Sequence, residues 1–128
     1  MFKQVDYIII TVSDMMRSIR FYRDKLGLAM KFDTEEWTEF QTGATTLALH
    51  GNGAPQASSI IDEQGKAYAG TCSIGFTVDN LEKIYEDLKA KDVNFLMPPT
   101  ERLGEGIKLA VCLDPDGLPI SLAEMLFK

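Results

Sequence analysis

The segment YIIITVSD, residues 7–14, is repeated in pattern by SIGFTVDN, residues 73–80. Each copy ends in two side chains that can begin a helix by accepting backbone N–H bonds, Ser13 or Asp14 in the first and Asp79 or Asn80 in the second. Helical spacing of apolar residues follows both copies: Met15, Ile19, Tyr22 and Leu26 after the first, and Leu81, Ile84, Tyr85 and Leu88 after the second. A strand and helix written twice in a short chain predict two related modules.

The first copy also predicts which side chains face its helix. Ile8, Ile10 and Val12 lie on one side of an extended chain, while Tyr7, Ile9 and Thr11 lie on the other. A strand covered on one side by a helix has this pattern. We therefore expect the side chains that share the parity of Tyr7 to lie away from the helix.

Three further strands are predicted in each half of the chain. The first half contains strand-like runs rich in Thr, Phe, Trp and Leu within residues 28–53, and the second contains VNFLM, GIKLAVCL and LPISLAEM at 93–97, 106–113 and 118–125. The fold class is α+β, with two tandem βαβββ modules in one domain of residues 1–128. Module one covers about 1–52, a loop covers about 53–70, and module two covers about 71–128. The uncovered module faces are expected to form a cleft. A single ferredoxin-like βαββαβ unit is the alternative, but it explains fewer strands.

Composition excludes several classes of function. With 128 residues and 45% hydrophobic content, the chain suits one globular domain. The net charge of −6 and scattered Lys and Arg residues argue against nucleic acid as a partner. We find no apolar run of about 18 residues and no secretory signal, and therefore expect no membrane partner and a cytoplasmic location. Cys72 and Cys112 are expected to be reduced.

Long segments of the chain resemble the vicinal oxygen chelate superfamily. The similar segments are YIIITVSDMMRSIRFYRDKLGL, SIGFTVDNLEKIYEDL and DPDGLPISL. This superfamily includes glyoxalase I, extradiol dioxygenases, fosfomycin-resistance enzymes and bleomycin-resistance proteins. The resemblance covers nearly the whole chain apart from the loop between modules. It implies a cleft for a small-molecule ligand or substrate and a homodimer, in some members with exchanged modules.

The resemblance also shows where metal ligands would lie. In metal-using relatives the first strand of each module opens with histidine, and the last strand of a module carries glutamate. These positions are Tyr7 and Ser73, and Ala48 and Ser121, in this chain. Alanine offers no donor, a serine hydroxyl is not ionised near neutral pH, and a tyrosine phenol has a pKa of about 10. We therefore predict no metal at these positions and no other cofactor.

His50 is the only histidine, and it shares strand parity with Ala48. If the protein is an enzyme, we predict His50 as the acid–base group and Tyr7 as a proton donor or hydrogen-bond partner. A divalent metal held by His50 and Glu39 is an alternative, although two ligands are too few unless two chains contribute. A histidine that faces solvent at a strand end is the other alternative.

The predicted ligand-binding residues follow from strand parity and from the resemblance. Trp37, Glu39 and Gln41 alternate along one strand, and they would suit a ligand with an apolar body and a polar or cationic head. Trp37 could equally fill the core or a dimer interface. The complete predicted set is Trp37, Glu39, Gln41, Ala48, Ser73, Ser121, Thr11 and Thr77.

Two other motifs receive structural interpretations. Cys112 shares parity with Lys108 and Ala110, which would direct it into the cleft, but an inert buried thiol is favoured because no base is evident. The DPDG sequence at 114–117 is expected to form a tight turn, because the spacing of acidic residues in a calcium loop is absent.

Two functions remain after this reasoning. The first is metal-free binding of a small organic molecule, as in bleomycin-resistance-type proteins. The alternative is a glyoxalase-like lyase or isomerase, related to lactoylglutathione lyase, that acts on a small carbonyl substrate with His50, either with or without a divalent metal.

Overall fold

The computed structural model describes residues 2–54, 63–64 and 66–127. It divides into two compact units, Met1–Gln56 and Ala57–Lys128. Most of the loop predicted at 53–70 lies outside the described residues.

The first unit is a four-stranded mixed sheet with one helix. Strand β1 pairs in parallel with β4, while β4 with β3 and β3 with β2 are antiparallel, giving the order β1-β4-β3-β2. The elements are β1 (Tyr7–Thr11), α1 (Met15–Ile19), a π-helical turn (Arg20–Lys25), β2 (Ala29–Asp33), β3 (Trp37–Gln41) and β4 (Thr46–His50).

The second unit repeats this arrangement, with the order β5-β8-β7-β6 and a parallel β5–β8 pair. Its elements are β5 (Ile74–Thr77), α2 (Leu81–Ala90), β6 (Phe95–Arg102), a 3₁₀ turn (Leu103–Glu105), β7 (Ile107–Leu113) and β8 (Pro119–Met125). The predicted tandem of βαβββ modules is confirmed. Two separate sheets of this order exclude the single ferredoxin-like unit.

Local sequence explains how the first helix begins and ends. Asp14 has extended backbone angles, and its Oδ1 accepts the backbone N–H of Arg17 at 3.1 Å. Gly27 follows the helical region with φ +80°, the left-handed conformation that glycine adopts without steric cost. Asp14 therefore begins this helical segment, and Gly27 follows its end.

The second part of this helical segment differs from the predicted regular spacing. The Leu26 N–H donates to the Phe21 carbonyl five residues earlier, which is the π-helical pattern. Phe21 and Tyr22 are both buried, with ring centroids 5.0 Å apart and nearly perpendicular planes. The wider turn thus places two adjacent aromatic rings in the core.

Alternation along the strands separates a helix-facing side from an opposite side in each sheet. In the first sheet, Thr38 Oγ1 lies 3.4 Å from Met15 Sδ of α1. The even-numbered side chains of β3 therefore face the helix. The buried apolar residues of this sheet are Ile10, Phe40, Leu47, Ala48 and Leu49. Four of them share the helix-facing side and form the core. Ala48 is the exception, because its parity places it on the opposite side.

Two details of the second unit extend the sequence interpretation. Strand β6 runs to Arg102, beyond the predicted end at 97, and it includes Pro98 and Pro99 because it is an edge strand with irregular register. In the DPDG segment, Asp114 Oδ1 accepts the backbone N–H groups of Asp116 at 2.9 Å and Leu118 at 2.8 Å. These bonds form the predicted tight turn.

No helix among residues 2–54, 63–64 and 66–127 is long and apolar enough to cross a lipid bilayer.

Candidate functional site

The side of the first sheet opposite α1 carries most of the predicted site residues. We call this side the distal face, and it comprises Tyr7, Ile9, Thr11, Lys31, Phe32, Trp37, Glu39, Gln41, Thr46, Ala48 and His50. The strand register arranges much of it in three rows. Trp37, His50 and Thr11 form one row, Glu39, Ala48 and Ile9 the middle row, and Gln41, Thr46 and Tyr7 the third. Seven of the ten predicted residues therefore share one surface.

Exposure varies across the distal face. Tyr7 is 58% exposed and Ile9 49%, so β1 presents apolar surface. Ala48 is fully buried, while Trp37 and Glu39 are half-buried. On this face Ala48 of β4 is therefore covered, while the β1 residues beside it are exposed.

A hydrogen-bonded network joins three strands across this face. Trp37 Nε1 donates to Glu39 Oε2 at 2.8 Å, and Lys31 Nζ lies 3.6 Å from Glu39 Oε1. Lys31 Nζ also donates to Thr46 Oγ1 at 3.0 Å. Because the Glu39 carboxylate already has a resident cation and an indole donor, its charge is locally compensated. The alternative in which Trp37 only fills the core does not by itself explain the hydrogen bond to Glu39.

Sequence reasoning missed Lys31, and the cause is a β-bulge. Met30 pairs with Phe40 and Phe32 pairs with Glu39, so Lys31 is the extra residue of β2. The bulge places both Lys31 and Phe32 beside Glu39, where regular alternation would place one. The available signal was a lysine in a strand-like run that is followed by two strands carrying Glu39 and Thr46. The sequence does not indicate the bulge itself.

The two residues predicted for catalysis are not adjacent. His50 pairs with Thr11, and Tyr7 pairs with Thr46 at the other end of the β1–β4 pair. Four residue steps along the strand separate their positions, or about 13 Å. His50 is exposed, and its ring lies 6.2 Å from the Trp37 ring at an interplanar angle of 66°. Tyr7 and His50 therefore lie at opposite ends of the β1–β4 pair.

The second unit holds the remaining three predicted residues. Ser121 is half-buried and pairs with Gly75 and Val111, while Ser73 is exposed just before β5. Thr77, at the end of β5, lines a shallow depression of about 340 Å³ beside the start of α2. The strand register puts Thr77 and Ser121 on the side of this sheet opposite α2.

The positions that bind metal in metal-using relatives do not fit a metal in this chain. Ala48 has no donor atom and is fully buried, and Tyr7, Ser73 and Ser121 offer only hydroxyl groups. Among the described residues, no group of three or more His, Cys, Asp or Glu side chains could hold a metal ion. Glu39, the carboxylate considered with His50, already contacts Lys31 and Trp37.

The two thiols have opposite environments. Cys112 is fully buried on the side of the second sheet that faces α2, which confirms the favoured interpretation of a buried thiol. Two contacts fix this side: Lys108 Nζ lies 3.5 Å from Glu82 of α2, and Glu124 contacts the start of α2. Burial raises the pKa of the Cys112 thiol to about 11. Cys72 is exposed.

Comparison with known proteins identifies the family. Residues 4–122 match the Glyoxalase/Bleomycin resistance protein/Dioxygenase superfamily, and the chain belongs to this superfamily. A glyoxalase/dioxygenase structure from Nostoc punctiforme is 22% identical and superimposes with a TM-score of 0.77, covering 96% of this chain and 91% of that one. This likeness concerns the fold.

Two sequence relatives extend the comparison. The uncharacterized protein YraH of Bacillus subtilis (strain 168) is 29% identical over 90% of this chain and 93% of its own length. Metallothiol transferase FosB of Staphylococcus haemolyticus (strain JCSC1435) is 34% identical over 75% of this chain and 66% of its own length.

Proposed function

We propose that this superfamily member binds a small organic molecule on the distal face of the first sheet without a metal, as bleomycin-resistance-type proteins do. The proposal rests on the four positions that bind metal in metal-using relatives. In this chain they are Tyr7, Ala48, Ser73 and Ser121, which lack suitable metal donors. Supporting it, the face combines exposed apolar surface on β1 with the hydrogen-bonded Trp37 and Glu39 pair. A fixed polar group within apolar surface is typical of a small-molecule site.

A ligand screen tests this proposal through the only tryptophan in the chain. Trp37 lies on the proposed surface, so a bound compound should change its fluorescence and raise the unfolding temperature. A ligand at about 100 times its Kd stabilises by about 2.7 kcal/mol, which corresponds to several degrees for a domain of this size. Failure of a broad screen of anionic, cationic and neutral aromatic compounds to give saturable binding would contradict the proposal.

The metal arm of the same experiment uses chelator-stripped protein with nickel, zinc, cobalt, manganese or ferrous iron. We expect no rise in the unfolding temperature with any of them, because the four family positions lack suitable donors. A rise that His50→Ala abolishes would instead show a metal site built around His50.

A glyoxalase-like lyase or isomerase, with His50 as acid–base group and a divalent metal, is the second candidate. The similarity to FosB, a metallothiol transferase by name, is the observation that favours metal-dependent chemistry. The test is turnover of small carbonyl substrates with added metal, compared between the wild type, His50→Ala and Tyr7→Phe. Unchanged turnover in both variants would remove these two residues from the mechanism.

The proposal includes a homodimer in the cytoplasm, as the family resemblance implies. Light scattering of the protein as it elutes from a size-exclusion column should give twice the mass of one chain. Monomeric protein at micromolar concentration would contradict this part of the proposal and leave ligand binding to be judged by the screen.

A further inference from the structure

We infer that the distal face selects an anionic ligand, a flat apolar compound that carries a carboxylate, and that Lys31 is the residue that binds the carboxylate. This inference rests on the proposed function and names the ligand class for the same surface. It departs from the cationic head that the isolated Glu39 residue suggested.

The first step of the argument is the state of Glu39. Its Oε2 accepts from Trp37 Nε1 at 2.8 Å, and its Oε1 lies 3.6 Å from Lys31 Nζ. Its side chain is 22% exposed, against 37% for Lys31. A ligand cation would compete with Lys31 for a less accessible carboxylate, so a cationic head is disfavoured.

The second step is the capacity of Lys31. An ammonium group has three N–H donors. The contacts among the described residues use two of them, a hydrogen bond to Thr46 Oγ1 at 3.0 Å and the longer contact with Glu39. A ligand carboxylate can bind the remaining donor without displacing either neighbour, and a charge-assisted hydrogen bond of this kind is among the stronger ones.

The third step is the apolar surface on either side of Lys31. Phe32 follows it in the bulge and is 48% exposed. Tyr7 pairs with Thr46, the hydrogen-bond partner of Lys31, and is 58% exposed. An aromatic ring attached to the carboxylate would therefore contact Phe32 on one side of Lys31 or Tyr7 on the other. Thr46 and Glu39 meanwhile hold the ammonium group in place.

The test compares two probes of the same shape and opposite charge, 2-naphthoate and 2-naphthylmethylammonium. In ¹⁵N-labelled protein the single Trp37 indole N–H gives one cross-peak, which reports on the network through its bond to Glu39. We expect 2-naphthoate to shift this peak saturably and to bind about tenfold or more tightly than the ammonium probe.

Three variants separate Lys31 from general charge effects. Lys31→Met should weaken 2-naphthoate binding about tenfold or more, while Lys31→Arg retains most of the affinity. Lys108→Met is the control, because the Lys108 ammonium also lies beside a glutamate, Glu82, at 3.5 Å and its loss changes the net charge equally. We expect Lys108→Met to leave the affinity within about twofold. Circular dichroism and unfolding temperature verify that each variant is folded.

Several outcomes would overturn the inference. These are equal or tighter binding of the ammonium probe, no saturable binding of 2-naphthoate, or undiminished affinity in folded Lys31→Met. If the wider screen finds a cationic or neutral ligand on this face, the proposed function stands and only the ligand class is wrong. If the screen finds no ligand at all, both fail.

Discussion

Residue-scale chemistry differs most clearly between the two cysteines. Cys112 lies in the core with a thiol pKa raised to about 11, because burial disfavours the thiolate, whereas Cys72 is exposed. The thiolate is the reactive form, so at pH 8 Cys112 combines inaccessibility with a protonated sulfur.

Alkylation of the native protein at pH 8 should therefore modify one thiol per chain. After denaturation both should react, as measured by intact mass. Cys72→Ser is the control, and it should abolish the native modification. Rapid labelling of Cys112 in the native Cys72→Ser variant would contradict the assigned burial.

The sequence predicted individual residues well where alternation is regular. The parity of Tyr7, Ile9 and Thr11, and that of Trp37, Glu39 and Gln41, correctly indicated their shared surface. Lys31 was missed because a β-bulge changes the alternation of side chains along β2. The separation between Tyr7 and His50 could not be predicted because it depends on the register of the parallel β1–β4 pair.

At the scale of elements, the end of the first helical segment depends on Gly27. Its φ of +80° lies in the left-handed region, and nothing lies within 4 Å of a Cβ built at this position. The cost of an alanine there is therefore conformational rather than steric.

We expect Gly27→Ala to reduce the free energy of unfolding by about 1 kcal/mol. Gly43→Ala is the matched control, because a Cβ there also meets nothing within 4 Å and its φ is not positive. Urea denaturation of both variants measures the difference. Equal effects would show that the left-handed conformation is not the cause.

The start of α2 is stabilised by two side chains. Asn80 Oδ1 accepts the Lys83 N–H at 3.2 Å, and Glu124 Oε1, from β8, accepts the N–H of the fully buried Leu81 at 2.8 Å. The bond from Glu124 ties the helix to the sheet, and it leaves a buried donor unsatisfied if it is lost.

Loss of Asn80 by Asn80→Ala should cost about 1 kcal/mol, as for other helix caps. Glu124→Ala should cost more, about 1–3 kcal/mol, because the Leu81 N–H would lack a partner in the core. Glu86→Ala, at an exposed position within α2, is the control and should change stability by less than about 0.5 kcal/mol. A larger loss from Asn80→Ala than from Glu124→Ala would contradict this assignment.

Element boundaries were predictable where a cap or a glycine marks them, as at Asp14, Gly27 and Asn80. They were less predictable where tertiary packing decides. The π-helical turn at Arg20–Lys25 follows from placing Phe21 and Tyr22 together in the core, and the extension of β6 through Pro98 and Pro99 follows from its edge position.

For the molecule as a whole, net charge restricts the partners. A charge of −6 without clustered Lys and Arg repels phosphates. A 20-base-pair DNA duplex should show no mobility shift with micromolar protein at low salt. A shift that weakens as salt rises would contradict this prediction.

The tandem repeat allowed the overall architecture to be predicted from sequence, because two similar strand and helix segments appear before any three-dimensional information is needed. The ligand class was not predictable in the same way. It depends on which charge remains accessible after Lys31, Glu39, Trp37 and Thr46 contact one another, and sequence alone does not give those contacts.

The parallel pairing of first and last strands has a consequence for biosynthesis. Strand β1 is next to β4, and β5 is next to β8, so neither sheet can be completed until the last strand of its own unit exists. During synthesis from the amino terminus, the first sheet can therefore form completely before β8, the pairing partner of β5, has been made. Each half waits for its own final strand, so release of a nascent chain before β8 would leave β5 without its pairing neighbour and expose an apolar strand to aggregation.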